Sequence, residues 1–74
     1  MDGQVHIVIG AAGGIGSAVA RMLTKAGASV MLAGRTEESL RSLSAETGAS
    51  WMACDARSFD HVKALVDGTI EHFG

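Results

Sequence analysis

The residues of this sequence best suited to chemistry are three glycines, one arginine and one aspartate. Gly10, Gly14 and Gly16 fall in the stretch 5–16, Val-His-Ile-Val-Ile-Gly-Ala-Ala-Gly-Gly-Ile-Gly; Arg35 closes Ala33-Gly-Arg; Asp55 follows Cys54. Glycines allow positive φ and leave room for a ligand to approach the main chain. Set after a β-branched apolar run and at the start of a helical pattern, they describe a strand, a bend and a helix start. The first free N–H groups of such a helix, at the positive end of its dipole, face an anion. Ile15, between Gly14 and Gly16, belongs to the same stretch. The spacing is G-x-x-x-G-x-G, different from the commonest dinucleotide fingerprint, G-x-G-x-x-G. A glycine turn alone also has a purely structural reading, but the strand–turn–helix context favours a phosphate site.

The end of the second strand decides which phosphate. An acidic residue about 20 residues past the glycines commonly holds the ribose hydroxyls of NAD. This sequence has Ala33-Gly34-Arg35-Thr36 there. A guanidinium pairs with phosphate in a fork geometry, and NADP(H) differs from NAD(H) by a 2′-phosphate at this location. Arg35, with Thr36 beside it, therefore predicts NADP(H) over NAD(H). An ordinary solvated arginine at a helix N-terminus is the alternative. Asp55 can accept a hydrogen bond from an adenine amino group, or simply turn the chain toward Ser58. No metal site is expected: His61 and His72 share a helix face but lie roughly 16 Å apart along its axis. Cys54 is read as a small buried residue and Trp51 as packing.

Composition bounds the rest. The 74 residues suffice for one small domain, 1–74, with 47% hydrophobic residues and no linker or repeat. A net charge of −2 offers nothing to drive binding to nucleic acid or an anionic membrane. One cysteine suits a reducing compartment, and no apolar run reaches the roughly 20 residues of a membrane helix. The N-terminal Met-Asp-Gly-Gln lacks a signal-peptide pattern. A soluble, cytoplasmic protein is expected.

The elements that must position the site alternate. Val5 to Ile9 is an apolar run expected to be buried on both faces of a parallel sheet. Ile15, Ala18, Val19, Met22, Leu23 and Ala26 recur at helical spacing, and Gly27 stops the helix. Ser29 to Ala33 is a second strand. Thr36 can cap a second helix with Glu37 and Glu38 in its first turn, Leu40 and Leu43 inside, and an end near Gly48. Ala49 to Ala53 is a third strand. Ser58 can cap a third helix with Val62, Leu65, Val66, Thr69, Ile70 and Phe73 as its inner face. The β-α-β-α-β-α order implies an α/β fold, a truncated (half) Rossmann fold with a three-stranded parallel sheet in the order 3-2-1.

Taken together, Gly10-Ala-Ala-Gly-Gly-Ile-Gly16, the Ala33-Gly-Arg35 strand end, Cys54-Asp55 and the closing Phe73-Gly74 resemble the N-terminal cofactor-binding part of a short-chain dehydrogenase/reductase. The resemblance spans nearly the whole chain and implies an oxidoreductase origin. It implies that the glycines lie under a pyrophosphate, that Arg35 marks NADP(H) preference and that Asp55 meets the adenine. One departure is Ile9, where the family commonly has Thr before the first glycine. The resemblance also names what is missing. The family's Tyr-x-x-x-Lys acid/base pair and its Asn have no counterpart, because the sequence contains neither Tyr nor Asn. No catalytic residue is assigned, and the chain is not expected to catalyse hydride transfer alone.

With only the adenosine side of the crevice encoded, cofactor binding is expected to be weak or absent. The first strand, lacking a neighbour on one side, predicts a homodimer or other oligomer through that edge. The third helix is expected on the opposite face of the sheet, near the first strand. A stand-alone nucleotide-binding or self-associating module that has lost oxidoreductase function is the alternative reading.

Overall fold

Short apolar runs and longer amphipathic stretches alternate along the chain, the first folding as strands and the second as helices. The computed structural model describes residues 3–11 and 13–73. The elements are β1 (Val5–Ile9), α1 (Gly14–Lys25), β2 (Ser29–Gly34), α2 (Glu37–Thr47), β3 (Ser50–Ala53) and α3 (Phe59–Phe73). Gly74, with which the sequence motif closes, and Met1 and Asp2 of the N-terminal reading lie outside the described residues, as does Ala12 of the glycine stretch.

All three strands are parallel. Ile7 pairs with Met31 and Ile9 with Ala33, while Leu32 pairs with Trp51 and Gly34 with Ala53. The expected order 3-2-1 is corrected: the strands run sequentially, β1-β2-β3. Each crossover advances the chain by one strand position in the same direction, so spatial order follows chain order from β1. The central strand is β2, and that sets the burial.

Along β2, Val30 and Leu32 face a core formed with Val8, Ala20, Leu40 and Leu43 under α1 and α2, while Met31 and Ala33 face Leu65 and Cys54 under α3. Its residues from Val30 to Gly34 are all buried. β1 departs from expectation. Only Val8 is buried, and Val5 and Ile9 are 47% and 49% exposed, because a strand with one neighbour leaves half its flank open.

The helices are bounded largely as their sequences dictate. After α1, Gly27 adopts φ 89° and the amides of Gly27 and Ala28 return to the carbonyls of Thr24 and Leu23, a Schellman closure. Gly48 closes α2 in the left-handed region. Thr36 occupies the N-cap position of α2 but makes no side-chain capping bond, contrary to expectation. Ser58 does cap α3, its hydroxyl accepting the His61 N–H at 3.3 Å.

The inner faces differ more. The fully buried residue of α1 is Ala20, with Leu23 packed partly behind it, whereas Ile15 and Met22 are 86% and 71% exposed. The face of α1 set on the sheet is thus the one that carries Ala20, and Ile15 and Met22 lie on the face turned outward. On α3, Leu65 and Thr69 are buried and Val66 and Ile70 exposed. This helix does cross to the opposite face, but it lies over β2 and reaches β3, where Gly68 sits against the Met52 sulfur. Ile7 of β1 packs against the same core, as Met52 of β3 does, so the helix lies near β1 as expected while also covering β2.

Candidate functional site

In a parallel sheet every strand ends on the same edge, so the loops after β1, β2 and β3 meet there. Backbone bonds tie them together. The amides of Gly10 and Ala11 both donate to the Ala33 carbonyl, at 2.9 and 3.1 Å, and the Cys54 amide donates to the Gly34 carbonyl at 2.7 Å. A pocket of about 240 Å³ opens on this edge, lined by Ile9, Gly10, Gly34, Arg35, Cys54, Asp55, Ala56 and Arg57. It lies where ligands of open α/β sheets collect, outside the carboxyl ends of the strands.

The glycine bend is sterically enforced. Gly10 has φ +77°, and a Cβ added at Gly16 would overlap the Gly10 carbonyl oxygen, with that carbonyl's carbon at 2.9 Å. The first turn of α1 therefore rests directly on the bend. Gly13 is its N-cap and donates to the Gly10 carbonyl at 3.0 Å; the first helical bond runs from the Ser17 amide to the Gly13 carbonyl. The amides of Gly14, Ile15 and Gly16 lie ahead of that bond and need partners from elsewhere. No acidic side chain occupies the first turn, and no side chain caps it. These three amides are the ones the first turn of α1 leaves without a helical partner. Gly10 contributes its conformation and its carbonyl, its own amide being already spent on Ala33.

At the other end of the pocket the groups are side chains. Arg35 is exposed at the tip of β2, and among the described residues no hydrogen bond or ion pair engages it, although its charge reaches Asp55. Thr36 follows it, also exposed. Asp55 lies two residues past β3 and is held on both sides. Its amide donates to His61 Nδ1 at 3.1 Å. Its carboxylate accepts from the Arg57 amide and Nε at Oδ1, at 3.0 and 3.1 Å, and from Nη2 at Oδ2, at 3.0 Å. Those donors hold its carboxyl down to about 2, and the carboxylate in turn raises the Arg57 guanidinium. Cys54 is buried beneath the pocket.

Arg35 and Asp55, read from the sequence as site residues, are thus brought to one pocket, with Gly10 at its edge. Gly14, Ile15 and Gly16 sit one bend away at the helix start. Arg57 and His61 were missed. An i, i+2 pair in a turn leaves no periodic signal, and a histidine accepting an amide six residues back leaves none either. His61 and His72 serve separate bonds, His72 pairing with the Ser50 hydroxyl at 2.8 Å. Among the described residues no cluster of metal-ligating side chains occurs.

A parallel sheet, a glycine bend under a helix start and a charged pocket at the strand tips define a Rossmann-type nucleotide-binding unit. The chain belongs to the short chain dehydrogenase family, whose model matches residues 4–74. It is 38% identical to L-fucose dehydrogenase of Oryctolagus cuniculus over 73 residues, which are 97% of this chain and 26% of that protein. Among solved structures, a variant of actinorhodin polyketide ketoreductase with NADPH superimposes with a TM-score of 0.91 at 38% identity, over 96% of this chain and 29% of that one. A metagenomic short-chain oxidoreductase in complex with NADP does so at 0.92 and 38%, over 99% and 35%. The chain therefore spans about a quarter to a third of the length of these relatives. No helix among the described residues is long and apolar enough to cross a membrane.

Proposed function

We propose that this chain is the dinucleotide-binding part of a short-chain dehydrogenase-type oxidoreductase, that it takes NADP(H) in preference to NAD(H), and that it does not transfer hydride alone. The observation that carries the reading is Arg35. It is a guanidinium without a hydrogen-bonding partner among the described residues, at the β2 tip, lining a pocket of ligand size. In this reading Gly14, Ile15 and Gly16 offer amides to the pyrophosphate, with Gly10 shaping the bend. Arg35 and Thr36 meet the 2′-phosphate and Asp55 the adenine amino group. The NADPH and NADP held by two structural neighbours support the cofactor class. The sequence has neither the Tyr nor the Asn of the family's chemistry, so the part assigned to it is binding.

The test is titration of the chain with adenosine 2′,5′-bisphosphate and 5′-AMP, which differ only in the 2′-phosphate, followed by amide chemical shifts. The bisphosphate should bind more tightly, and Arg35→Gln should remove that advantage, about tenfold for one exposed charge-assisted pair. Equal affinity for the two in the unsubstituted chain would sink the NADP(H) preference.

A self-associating reading has its own support. β1 pairs only with β2 among the described strands, and half-exposed Val5 and Ile9 lie along it. An open apolar edge of this kind recruits another strand. We propose that two copies join through β1, placing the chain in a homodimer. Sedimentation over a range of concentrations should give twice the chain mass; a monomer throughout rejects the dimer and leaves the nucleotide site standing.

A further inference from the structure

Arg35 and Asp55 line one pocket, and that sets an electrostatic problem for a ligand bearing a 2′-phosphate. The phosphate drawn to Arg35 arrives beside a carboxylate close enough to feel the Arg35 charge. An uncompensated carboxylate at such range repels a dianion and cancels much of what Arg35 offers. Protonation does not relieve it, because Asp55 stays ionised far below neutral pH.

The turn after β3 supplies the answer. Arg57 spreads its guanidinium across both carboxylate oxygens, Nε to Oδ1 and Nη2 to Oδ2, while its amide takes a second position on Oδ1. Two guanidiniums and one carboxylate face the pocket, leaving one net positive charge. The Arg57 side chain is 77% exposed and the Asp55 side chain 29%, and Arg57 belongs to neither hydrophobic core. Packing gives no reason for its presence. Its only hydrogen-bonding partner among the described residues is Asp55.

We infer that Arg57 is a specificity-determining residue that acts through Asp55: by masking the carboxylate it allows the pocket to accept a nucleotide carrying a 2′-phosphate. The inference rests on the nucleotide-binding reading above and deepens it. Arg35 supplies the attraction and Arg57 removes the opposition. The ligand class is an adenine nucleotide with an added phosphate on the ribose, and Arg57 acts without touching that phosphate.

The test is a double-mutant cycle on the full chain, with adenosine 2′,5′-bisphosphate and 5′-AMP as probes and amide chemical shifts as readout. Arg57→Gln should weaken the bisphosphate about three- to tenfold, an effect that shrinks in high salt, and leave 5′-AMP within about twofold. Arg57→Lys, which keeps the charge, should recover most of the loss. Asp55→Asn combined with Arg57→Gln should restore the preference for the bisphosphate over 5′-AMP, since no carboxylate remains to mask; the ratio is what is read, because both probes carry the adenine that Asp55 meets. If the double variant shows no more preference for the bisphosphate over 5′-AMP than Arg57→Gln alone, Arg57 touches the phosphate directly and the masking role is overturned. An equal loss for both probes means a structural role and overturns it as well. If the unsubstituted chain binds neither probe, the nucleotide reading itself falls and takes the inference with it. That outcome differs from the other two, in which binding by the unsubstituted chain persists.

Discussion

The proposed site has two unlike ends: the main-chain amides of Gly14, Ile15 and Gly16 at one, and the side chains of Arg35, Asp55 and Arg57 at the other. The first set is fixed by close packing, since the α1 turn rests on the Gly10 carbonyl with no space for a single carbon. The second set stands on loops, exposed or partly so, and is organised by charge. Exchanging a side chain leaves its amide in place, so the set depends on the glycines that shape the bend. Side-chain charges can be exchanged one at a time, with little effect on either core.

This contrast breaks most visibly at Gly16. In an ordinary helix, Gly→Ala stabilises by up to about 1 kcal/mol. Here the added Cβ meets backbone atoms that no rotamer change can move, so Gly16→Ala should destabilise by about 2–3 kcal/mol. That is a large share of the stability of so small a domain. Thermal unfolding followed by circular dichroism reads the sign directly, and a stabilised Gly16→Ala would refute the packing account.

Gly14, two residues earlier in the same turn, sharpens the point. A Cβ there meets nothing within 4 Å among the described residues, and its φ is not positive. Gly14→Ala should therefore leave the melting curve unchanged or raise stability by a few tenths of a kcal/mol.

The smallest effect belongs to the charged end. Because the folded state lowers the Asp55 carboxyl to about 2, its contribution is present at neutral pH. It fades as pH falls from the ordinary carboxylate range through about 2. Asp55→Asn should flatten that stretch of the acid-unfolding curve slightly and leave stability at pH 7 nearly unchanged, because the pair is solvent-screened.

The same contrast explains what the sequence disclosed. The backbone-made end was legible, because Gly10, Gly14 and Gly16 lie between a β-branched run and a helical repeat and such spacing has few physical uses. Element boundaries followed from glycine stops at 27 and 48 and from the Ser58 cap. Helix faces were less legible. Ile15, Val19 and Met22 carry the apolar pattern of α1, yet Ala20 is the residue that is buried. Periodicity weights large side chains, while a small one decides how near two elements come. The side-chain end was half legible. Arg35 and Asp55 stand at strand tips, where position alone assigns them. Arg57 acts through a turn geometry that residue types do not encode, and nothing in the string separates it from any solvated arginine.

The turn from Asp55 to Ser58 has a consequence for descent. Arg57 hangs outside both cores, so drift at that single codon costs the fold almost nothing. A lineage could change its preference among phosphorylated and plain ribose by exchanging one or two letters there, while the glycine scaffold beneath stayed frozen.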